Sequence, residues 1–163
     1  MSAPTLAARV VLSDVAVGDE LPPLSYDVTA TTVVVGALAT RDTRPQHHDF
    51  HFATERNGVK DIFLNSPNQL AWLERYVTDW TGPTGRLGRL SFRMIDSIFP
   101  GDTMVFTATV SSVETDDAGC GWVGFDIAVK VGEKVCTTCT GRVAVPVSPD
   151  DNPWTRKNES WKP

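Results

Sequence analysis

The sequence predicts an α+β fold in which a curved antiparallel β-sheet wraps around one long central α-helix. Two observations support this fold class. Residues 66–81 place apolar side chains at helical spacing, and after residue 85 apolar and polar side chains alternate with period two through four successive runs. The length of 163 residues fits a single domain, and no segment repeats internally.

The first half of the chain is predicted to contain a short strand and two helices before the long helix. The turn VGDELPP leads into an extended segment at residues 24–28. The stretch TATTVVVGALATRD is predicted to form a helix that begins at a threonine cap, because its Gly and Ala residues suit a buried helix. Pro45 then forces the chain to leave the helix, with Arg44 extended. The stretch DFHFATERNG predicts a small helix capped by Asp49 and stopped by Asn57-Gly58.

The long helix has the clearest signals in the chain. Ser66 is expected to cap it, Pro67 to occupy its first helical position, and Gly82-Pro83 to end it. One apolar face contains Leu70, Leu73, Tyr76 or Val77, and Trp80.

Four predicted strands follow the long helix. Their inward-facing residues are Leu90, Phe92, Met94 and Ile98 in the first; Met104, Phe106, Ala108 and Val110 in the second; and Val123, Phe125, Ile127, Val129 and Val131 in the third. Gly132-Glu133 is a two-residue hairpin loop that leads to the last strand, residues 135–147. We therefore expect a leader at residues 1–12, one domain at residues 13–147 and a polar tail at residues 148–163 that forms a surface arm.

Composition excludes several functional classes. The formal net charge of −5 argues against a nucleic-acid-binding protein, which would show a basic face. The sequence contains no run of eighteen apolar residues, so no membrane span is predicted. Three cysteines and no secretory signal predict a reduced, cytoplasmic protein. Cys136 and Cys139 are expected to be buried thiols, since residues three apart on a strand point to opposite faces.

The segment RDTRPQHHDFHFA, residues 41–53, contains all three histidines of the chain. These could be metal ligands, part of a catalytic pair, or members of a solvated loop. A metal site is disfavoured because the adjacent His47 and His48 side chains diverge, and no further histidine could complete it. An aspartate and a histidine could exchange protons with a substrate near neutral pH. From the residues alone, however, a solvated loop is the more common interpretation of such a segment.

This segment resembles a family signature. RDTRPQHHD is similar to the motif of the MaoC-like, (R)-specific enoyl-CoA hydratases, which runs aspartate, any residue, asparagine, proline, any residue, histidine. Here Asp42, Pro45 and His47 match it, and Arg44 replaces the asparagine. SFRMIDSIFPGDTMVFTATV resembles the family's strand–Pro-Gly-Asp-Thr–strand segment. KDIFLNSPNQLAWLERYVTDWTGP resembles single-domain actinomycete members of the steroid-degradation type.

The resemblance, over roughly residues 13–147, implies the hotdog fold and the reversible syn addition of water to a 2-enoyl-CoA. It implies Asp42 and His47 as the catalytic pair, with coenzyme A as part of the substrate and no metal or other cofactor. It also implies a homodimer, or a heteromer with another hotdog subunit, and no nucleic-acid or membrane partner. In mixed complexes of this family one hotdog carries the aspartate and the histidine; this chain has both.

The resemblance also suggests roles for other residues. Asn65 and Ser66 begin the long helix, where relatives bind the thioester oxygen with backbone N–H groups. Arg86, Arg89 and Arg93 would bind coenzyme A phosphates or form a solvated strand face. Arg44 would either enter the site or face solvent or a phosphate.

Two expectations concern the catalytic pair itself. Because Asp42 follows a helix end, the helix dipole should raise its pKa. Neither Asp42 nor His47 is expected in the core. Two alternative functions stay open: a non-catalytic hotdog subunit of a mixed hydratase, and a hotdog thioesterase whose carboxylate attacks the thioester or activates water. The Asp–Pro–His spacing favours the hydratase over the thioesterase, but does not decide between enzyme and accessory subunit.

Overall fold

A computed structural model describes residues 9–163; residues 1–8, part of the predicted leader, lie outside the described residues. The elements are β1 (Glu20–Asp27), α1 (Ala30–Ala39), α2 (Ser66–Thr81), β2 (Arg86–Met94), β3 (Thr103–Thr115), β4 (Gly121–Val131) and β5 (Lys134–Val145). The five strands form one antiparallel sheet in the order β1-β3-β4-β5-β2. The α+β prediction, with an antiparallel sheet and one long helix, is confirmed.

The hydrophobic core lies between α2 and one face of the sheet. Leu73, Tyr76 and Val77 of α2 are buried in one cluster with the inward side chains of the strands. The predicted period-two pattern is confirmed, since β3 and β4 alternate as expected. Their buried apolar residues include Met104, Phe106, Ala108, Val110, Val123, Phe125, Ile127 and Val129. Cys136 and Cys139 are buried thiols, as predicted.

Helix α1 begins at the predicted threonine cap. The Thr29 side chain accepts a hydrogen bond from the Thr32 N–H (3.1 Å), and Thr32 Oγ1 accepts one from the Thr29 N–H (3.2 Å). Gly36 lets α1 approach α2 closely, because a Cβ there would lie 1.9 Å from Asn68 Nδ2. The Asn68 amide instead donates to Thr32 O (3.2 Å) and joins the two helices.

Two helix boundaries differ in detail from the predictions. Asn65, not Ser66, is the N-cap residue of α2, and Ser66 is already helical. Asp49 does cap the small helix by accepting from the Phe52 N–H (3.0 Å), but residues Phe52–Arg56 form a π-helical turn. Such single π turns insert one residue per turn and have no clear sequence signal.

The C-terminal segment is more firmly held than a surface arm. The Trp161 ring packs 4.9 Å from the buried Trp122 ring on β4, and the Arg86 guanidinium lies 3.6 Å from the centre of the Trp161 ring. Arg86 also donates to Arg156 O (2.9 Å), and Trp154 Nε1 donates to Gly85 O (3.1 Å). Segment and sheet are therefore joined by stacking and by hydrogen bonds to backbone carbonyls.

The two edges of the sheet differ in their capacity to pair with another strand. On β1, Pro22 and Pro23 lack N–H groups, and the pairing with β3 is interrupted by a bulge there. Strand β2 contains no proline and pairs only with β5. Among the described residues, no helix combines the length and apolar composition needed to cross a bilayer.

The Gly36–Asn68 contact gives a stability prediction. Gly36→Ala should lower the free energy of unfolding by about 1–3 kcal/mol, because the new methyl group must displace the buried Asn68 amide. Urea unfolding measures this. The double variant Gly36→Ala/Asn68→Ala removes the clash and should recover part of the loss; an unfolding free energy for Gly36→Ala above that of the wild type would contradict the contact.

Candidate active site

The end of α1 fixes the position of Asp42. Arg41 adopts a left-handed conformation with φ +56. Its N–H donates to Leu38 O (3.1 Å), and the Asp42 N–H donates to Ala37 O (2.9 Å). This is a Schellman arrangement, with arginine at a position that usually takes glycine. The backbone thus turns sharply, and Asp42 follows directly after the turn.

His47 is oriented by two neighbours from different parts of the chain. Residues Pro45–His47 form a short 3-10 turn, and His47 Nδ1 lies 2.7 Å from Phe63 O. Because a carbonyl oxygen only accepts, Nδ1 carries the proton in this contact. Nε2 then faces Asp42 Oδ2 at 3.5 Å. The expectation that His47 lies outside the core is wrong: only 3% of the residue is exposed, since the Phe63 carbonyl satisfies its inner nitrogen.

Asn65 connects Asp42 to the start of α2. Its Nδ2 donates to Asp42 Oδ2 (3.1 Å) and to Thr40 Oγ1 (2.8 Å). The Thr40 hydroxyl in turn donates to Gly36 O (2.7 Å), so Thr40 Oγ1 accepts from Asn65. The reversed amide would place oxygen against the Asp42 carboxylate, which fixes the orientation of the Asn65 side chain.

The direction of the Asp42 pKa shift differs from the prediction. Burial raises the pKa of Asp42, but the opposing effects together outweigh it. The Asn65 amide, the Arg44 backbone N–H and the charges of His47 and Arg44 all lower the pKa, leaving it below the usual range of an aspartate. The predicted rise from the α1 dipole is therefore wrong, because hydrogen-bond donors surround the carboxylate.

The remaining predicted site residues lie in varied surroundings. Ser66 is exposed on the first turn of α2, and Arg89 and Arg93 are exposed on β2. Arg44 is exposed, and its backbone N–H lies 3.4 Å from Asp42 Oδ1. Arg86 is engaged by the C-terminal segment, as described above. The roles proposed for Ser66, Arg44, Arg89 and Arg93 stay predictions.

The other two histidines lie outside the pair. His48 is exposed, and His51 is exposed beside Glu55, with Nδ1 3.2 Å from Oε1. The described residues contain no group of three or more His, Cys, Asp or Glu arranged to hold a metal ion.

Three structural features of the site were not predicted from the sequence. No glycine marks the left-handed turn at Arg41, and a backbone carbonyl such as that of Phe63 gives no residue-type signal. Asn65 was noticed only as part of the helix start. The asparagine directly before Ser66-Pro67 could have indicated a side-chain role, because asparagine side chains commonly form hydrogen bonds at helix starts.

Comparison with known proteins gives one close match in sequence. The chain is 38% identical over 97 residues to the 3-oxo-4,17-pregnadiene-20-carboxyl-CoA hydratase beta subunit of Mycobacterium tuberculosis. The match spans 60% of this chain and 74% of that relative. No protein-family profile matches the chain.

Solved structures share the fold. The crystal structure of the ChsH1-ChsH2 complex from Mycobacterium tuberculosis contains a chain that is 30% identical, with a TM-score of 0.72 over 80% of this chain and 98% of that one. A MaoC-like dehydratase from Rhodospirillum rubrum aligns with a TM-score of 0.74 at 19% identity, over 86% and 99% of the two chains. An (R)-hydratase from A. caviae aligns with a TM-score of 0.71 at 18% identity, over 81% and 98%. The predicted hotdog fold is confirmed by these neighbours.

The turn at Arg41 gives a prediction about backbone strain. Arg41→Gly should raise the free energy of unfolding by about 0.5–1 kcal/mol, because glycine adopts a positive φ without steric cost. Arg41→Ala removes the same charge but keeps a Cβ, and is the matched control. Thermal or urea unfolding distinguishes them; equal stabilities for the two variants would show that the backbone at residue 41 is unstrained.

The donors around Asp42 give a prediction about titration. In the wild type the carboxyl carbon of Asp42, followed by NMR, should titrate below the usual range of an aspartate, and Asn65→Ala should raise its pKa. Because the folded-state pKa is lowered, the ionised carboxylate stabilises the fold at neutral pH, and this contribution is lost as pH falls through the lowered pKa. Asp42→Asn should therefore flatten the acid limb of the stability curve. An unchanged Asp42 pKa in Asn65→Ala would contradict the described hydrogen bond.

Proposed function

We propose that this chain, which belongs to the MaoC-like hydratase family of hotdog proteins, catalyses the reversible addition of water to a 2-enoyl-CoA. The single observation that supports this most is the Asp42–His47 pair. The carboxylate and the imidazole face each other across 3.5 Å at the start of the central helix. One polar pair at a helix N-terminus fits a reaction that moves two protons while charge develops on a thioester oxygen.

The pair fits the proton transfers of hydration. Ionised Asp42 accepts hydrogen bonds, and so does His47 Nε2 in the tautomer whose proton lies on Nδ1, so together they can hold both hydrogens of one water molecule. As the water oxygen attacks Cβ, the pair takes one proton. It then returns a proton to Cα, so the sum of the steps is addition of one water. Since both groups lie on the same side of the substrate, the hydroxyl and the new hydrogen enter from one face.

The start of α2 fits the developing negative charge. The first N–H groups of a helix have no partner within the helix, and Pro67 removes one of them. The backbone N–H groups near Ser66 therefore remain available to the thioester oxygen. Asn65 has a second role in this scheme, because its side chain holds the carboxylate beside this donor group.

We propose a bulky acyl-CoA of the steroid type as substrate. The sequence relative is named for a pregnadiene-carboxyl-CoA. Large apolar side chains are also exposed on the elements that hold the pair: Val35 and Leu38 on α1, and Phe50 within the histidine segment. Such surface suits a large apolar acyl group. Exposed Arg89 and Arg93 remain candidates for the coenzyme A phosphates, with Arg44 a third.

The two alternative functions explain fewer of the contacts. A thioesterase could use Asp42 alone and gives no reason for His47 to be held by the Phe63 carbonyl with Nε2 toward the carboxylate. A non-catalytic subunit would have no need of a buried histidine facing a carboxylate, with one orienting partner for each group. The chain therefore fits the catalytic member of a mixed complex, or a homodimer.

The partner is proposed to be a second hotdog subunit that pairs with the edge of β2. This edge is free of proline, whereas β1 is blocked by Pro22 and Pro23. Two large apolar side chains are exposed at its ends, Trp154 beside Gly85 and Ile95 directly after the strand. The ChsH1-ChsH2 neighbour is itself a complex of two chains by its name.

The catalytic assignment predicts large losses of rate. Asp42→Asn and His47→Gln should each lower kcat by about 10²–10⁴. Glutamine is preferred at position 47 because His47→Ala would leave the Phe63 carbonyl without its donor. The assay follows loss of the conjugated thioester absorbance with crotonyl-CoA and with bulkier enoyl-CoAs.

His48→Gln is the matched control, since His48 is adjacent but exposed. It should keep the wild-type rate within a few-fold. Circular dichroism establishes that each variant is folded. Equal losses at His47 and His48 would refute the pair.

The edge assignment predicts the pattern of amide hydrogen exchange in the assembled protein. Strand β2 should be protected like the central β4, and β1 should exchange faster along its proline-containing edge. Ile95→Asp should dissociate the assembly in sedimentation, because it places a charge on the exposed apolar end of this edge. A wild-type monomer at micromolar concentration, both alone and with hotdog partners, would contradict the proposal.

A further inference from the structure

Two buried side-chain amide atoms at the start of α2 have no hydrogen-bond partner among the described residues. They are Asn65 Oδ1 and Gln69 Nε2. Asn65 is 1% exposed and Gln69 is 4% exposed, so solvent at the surface does not reach them. Asn65 is the N-cap residue of α2, and the Gln69 N–H donates to Asn65 O (3.1 Å), so the two residues are one helical turn apart.

The other ends of both amides are firmly held. Asn65 Nδ2 is committed to Asp42 and Thr40, as described above. Gln69 Oε1 accepts a hydrogen bond of 2.7 Å from the hydroxyl of Thr137, a fully buried residue on β5. The free ends of these amides are thus an acceptor and a donor, one helical turn apart. Buried polar groups without partners are strongly unfavourable, and such groups are commonly satisfied by internal water.

The polarity of the two free atoms selects the ligand. A molecule that fits must donate to Asn65 Oδ1 and accept from Gln69 Nε2, which a single water does. A thioester carbonyl would accept from Gln69 but be repelled by Asn65 Oδ1. Reversing the Asn65 amide is excluded by the Asp42 carboxylate.

We propose that Asn65 and Gln69 form a buried water site, and that Gln69 is a positioning residue that acts through this water and Asn65 on Asp42. The proposal rests on the proposed function only for its effect on rate. The resulting chain of donors runs from Thr137 to Gln69, to the water, to Asn65 and to the Asp42 carboxylate. Hydrogen bonds in such a chain polarise one another, so each donor strengthens the next.

This arrangement has a defined consequence for Asp42. A hydrogen bond accepted at Asn65 Oδ1 makes the Asn65 N–H groups better donors to the carboxylate. The charged groups acting on Asp42 are His47 and Arg44, and neither belongs to the chain of donors. Removing the Gln69 amide should therefore weaken the hydrogen bond from Asn65 to the Asp42 carboxylate without changing the charges around Asp42.

The water site is tested first by a high-resolution crystal structure of the full chain. The proposal expects one ordered water within about 2.7–3.2 Å of both Asn65 Oδ1 and Gln69 Nε2. An empty space, or a direct hydrogen bond between the two amides, would overturn the water site.

The positioning role is tested with Gln69→Leu and with the matched pair Thr137→Val and Thr137→Ser. Thr137→Val removes the hydroxyl at nearly constant shape, and Thr137→Ser retains it. Gln69→Leu should raise the NMR-observed pKa of Asp42, lower kcat by about tenfold and leave KM within about twofold. Thr137→Val should do the same more weakly, and Thr137→Ser should restore wild-type behaviour.

The readouts separate the two proposals. If the wild type adds no water to any enoyl-CoA, the proposed function fails, while the Asp42 titration still tests Gln69. If the wild type is active but the Asp42 titration and the acid limb of the pH–rate profile are unchanged in folded Gln69→Leu, the positioning role is refuted. If Gln69→Leu does not fold, Thr137→Val and Thr137→Ser test the positioning role instead, by the Asp42 titration and the acid limb of the pH–rate profile.

Discussion

The hydrogen bonds of the Asn65 amide are the interaction on which the candidate site depends. One side chain joins the end of α1, through Thr40, to the carboxylate of Asp42 and to the start of α2. The close Gly36–Asn68 contact brings the two helices near enough for this to occur. Without this junction the left-handed turn at Arg41 would place Asp42 with no fixed relation to His47, and the helix start would be separate from both. The site is therefore a property of helix packing more than of the histidine segment itself.

The electrostatics follow from the same junction. Burial alone would favour the neutral form of Asp42, as would the C-terminal end of α1. Burial is outweighed by the Asn65 amide, the Arg44 N–H and the nearby charges, and the pKa of Asp42 is lowered. The ring of His47 is oriented by the hydrogen bond that Nδ1 donates to the Phe63 carbonyl, which leaves Nε2 toward Asp42. A carboxylate and an imidazole nitrogen that face one space can hold a water molecule, which fits the proposed hydration.

Local patterns predicted most of the fold, whereas the site depends on contacts between distant residues. The alternation of apolar and polar residues predicted β3 and β4, and apolar residues at helical spacing predicted α2. A threonine cap predicted the start of α1. The Asp–Pro–His motif indicated which side chains to examine. It did not show that His47 is buried, because that depends on Phe63, sixteen residues away. Nor did any glycine mark the turn at Arg41. The docked C-terminal segment was also unforeseen, since its bond from Trp154 to Gly85 spans sixty-nine residues.

The central claim is that Asp42 and His47 deliver both parts of water to one face of the substrate. The most direct measurement is the stereochemistry of the product formed in D₂O by the protein, alone or with its hotdog partner, from an enoyl-CoA. NMR of the 3-hydroxyacyl product locates the deuterium at C2. The account predicts a single deuterium on the same face as the new hydroxyl, and incorporation slowed by about 10²–10⁴ in folded Asp42→Asn at the same protein concentration. Deuterium on the opposite face, or on both faces equally, would contradict it.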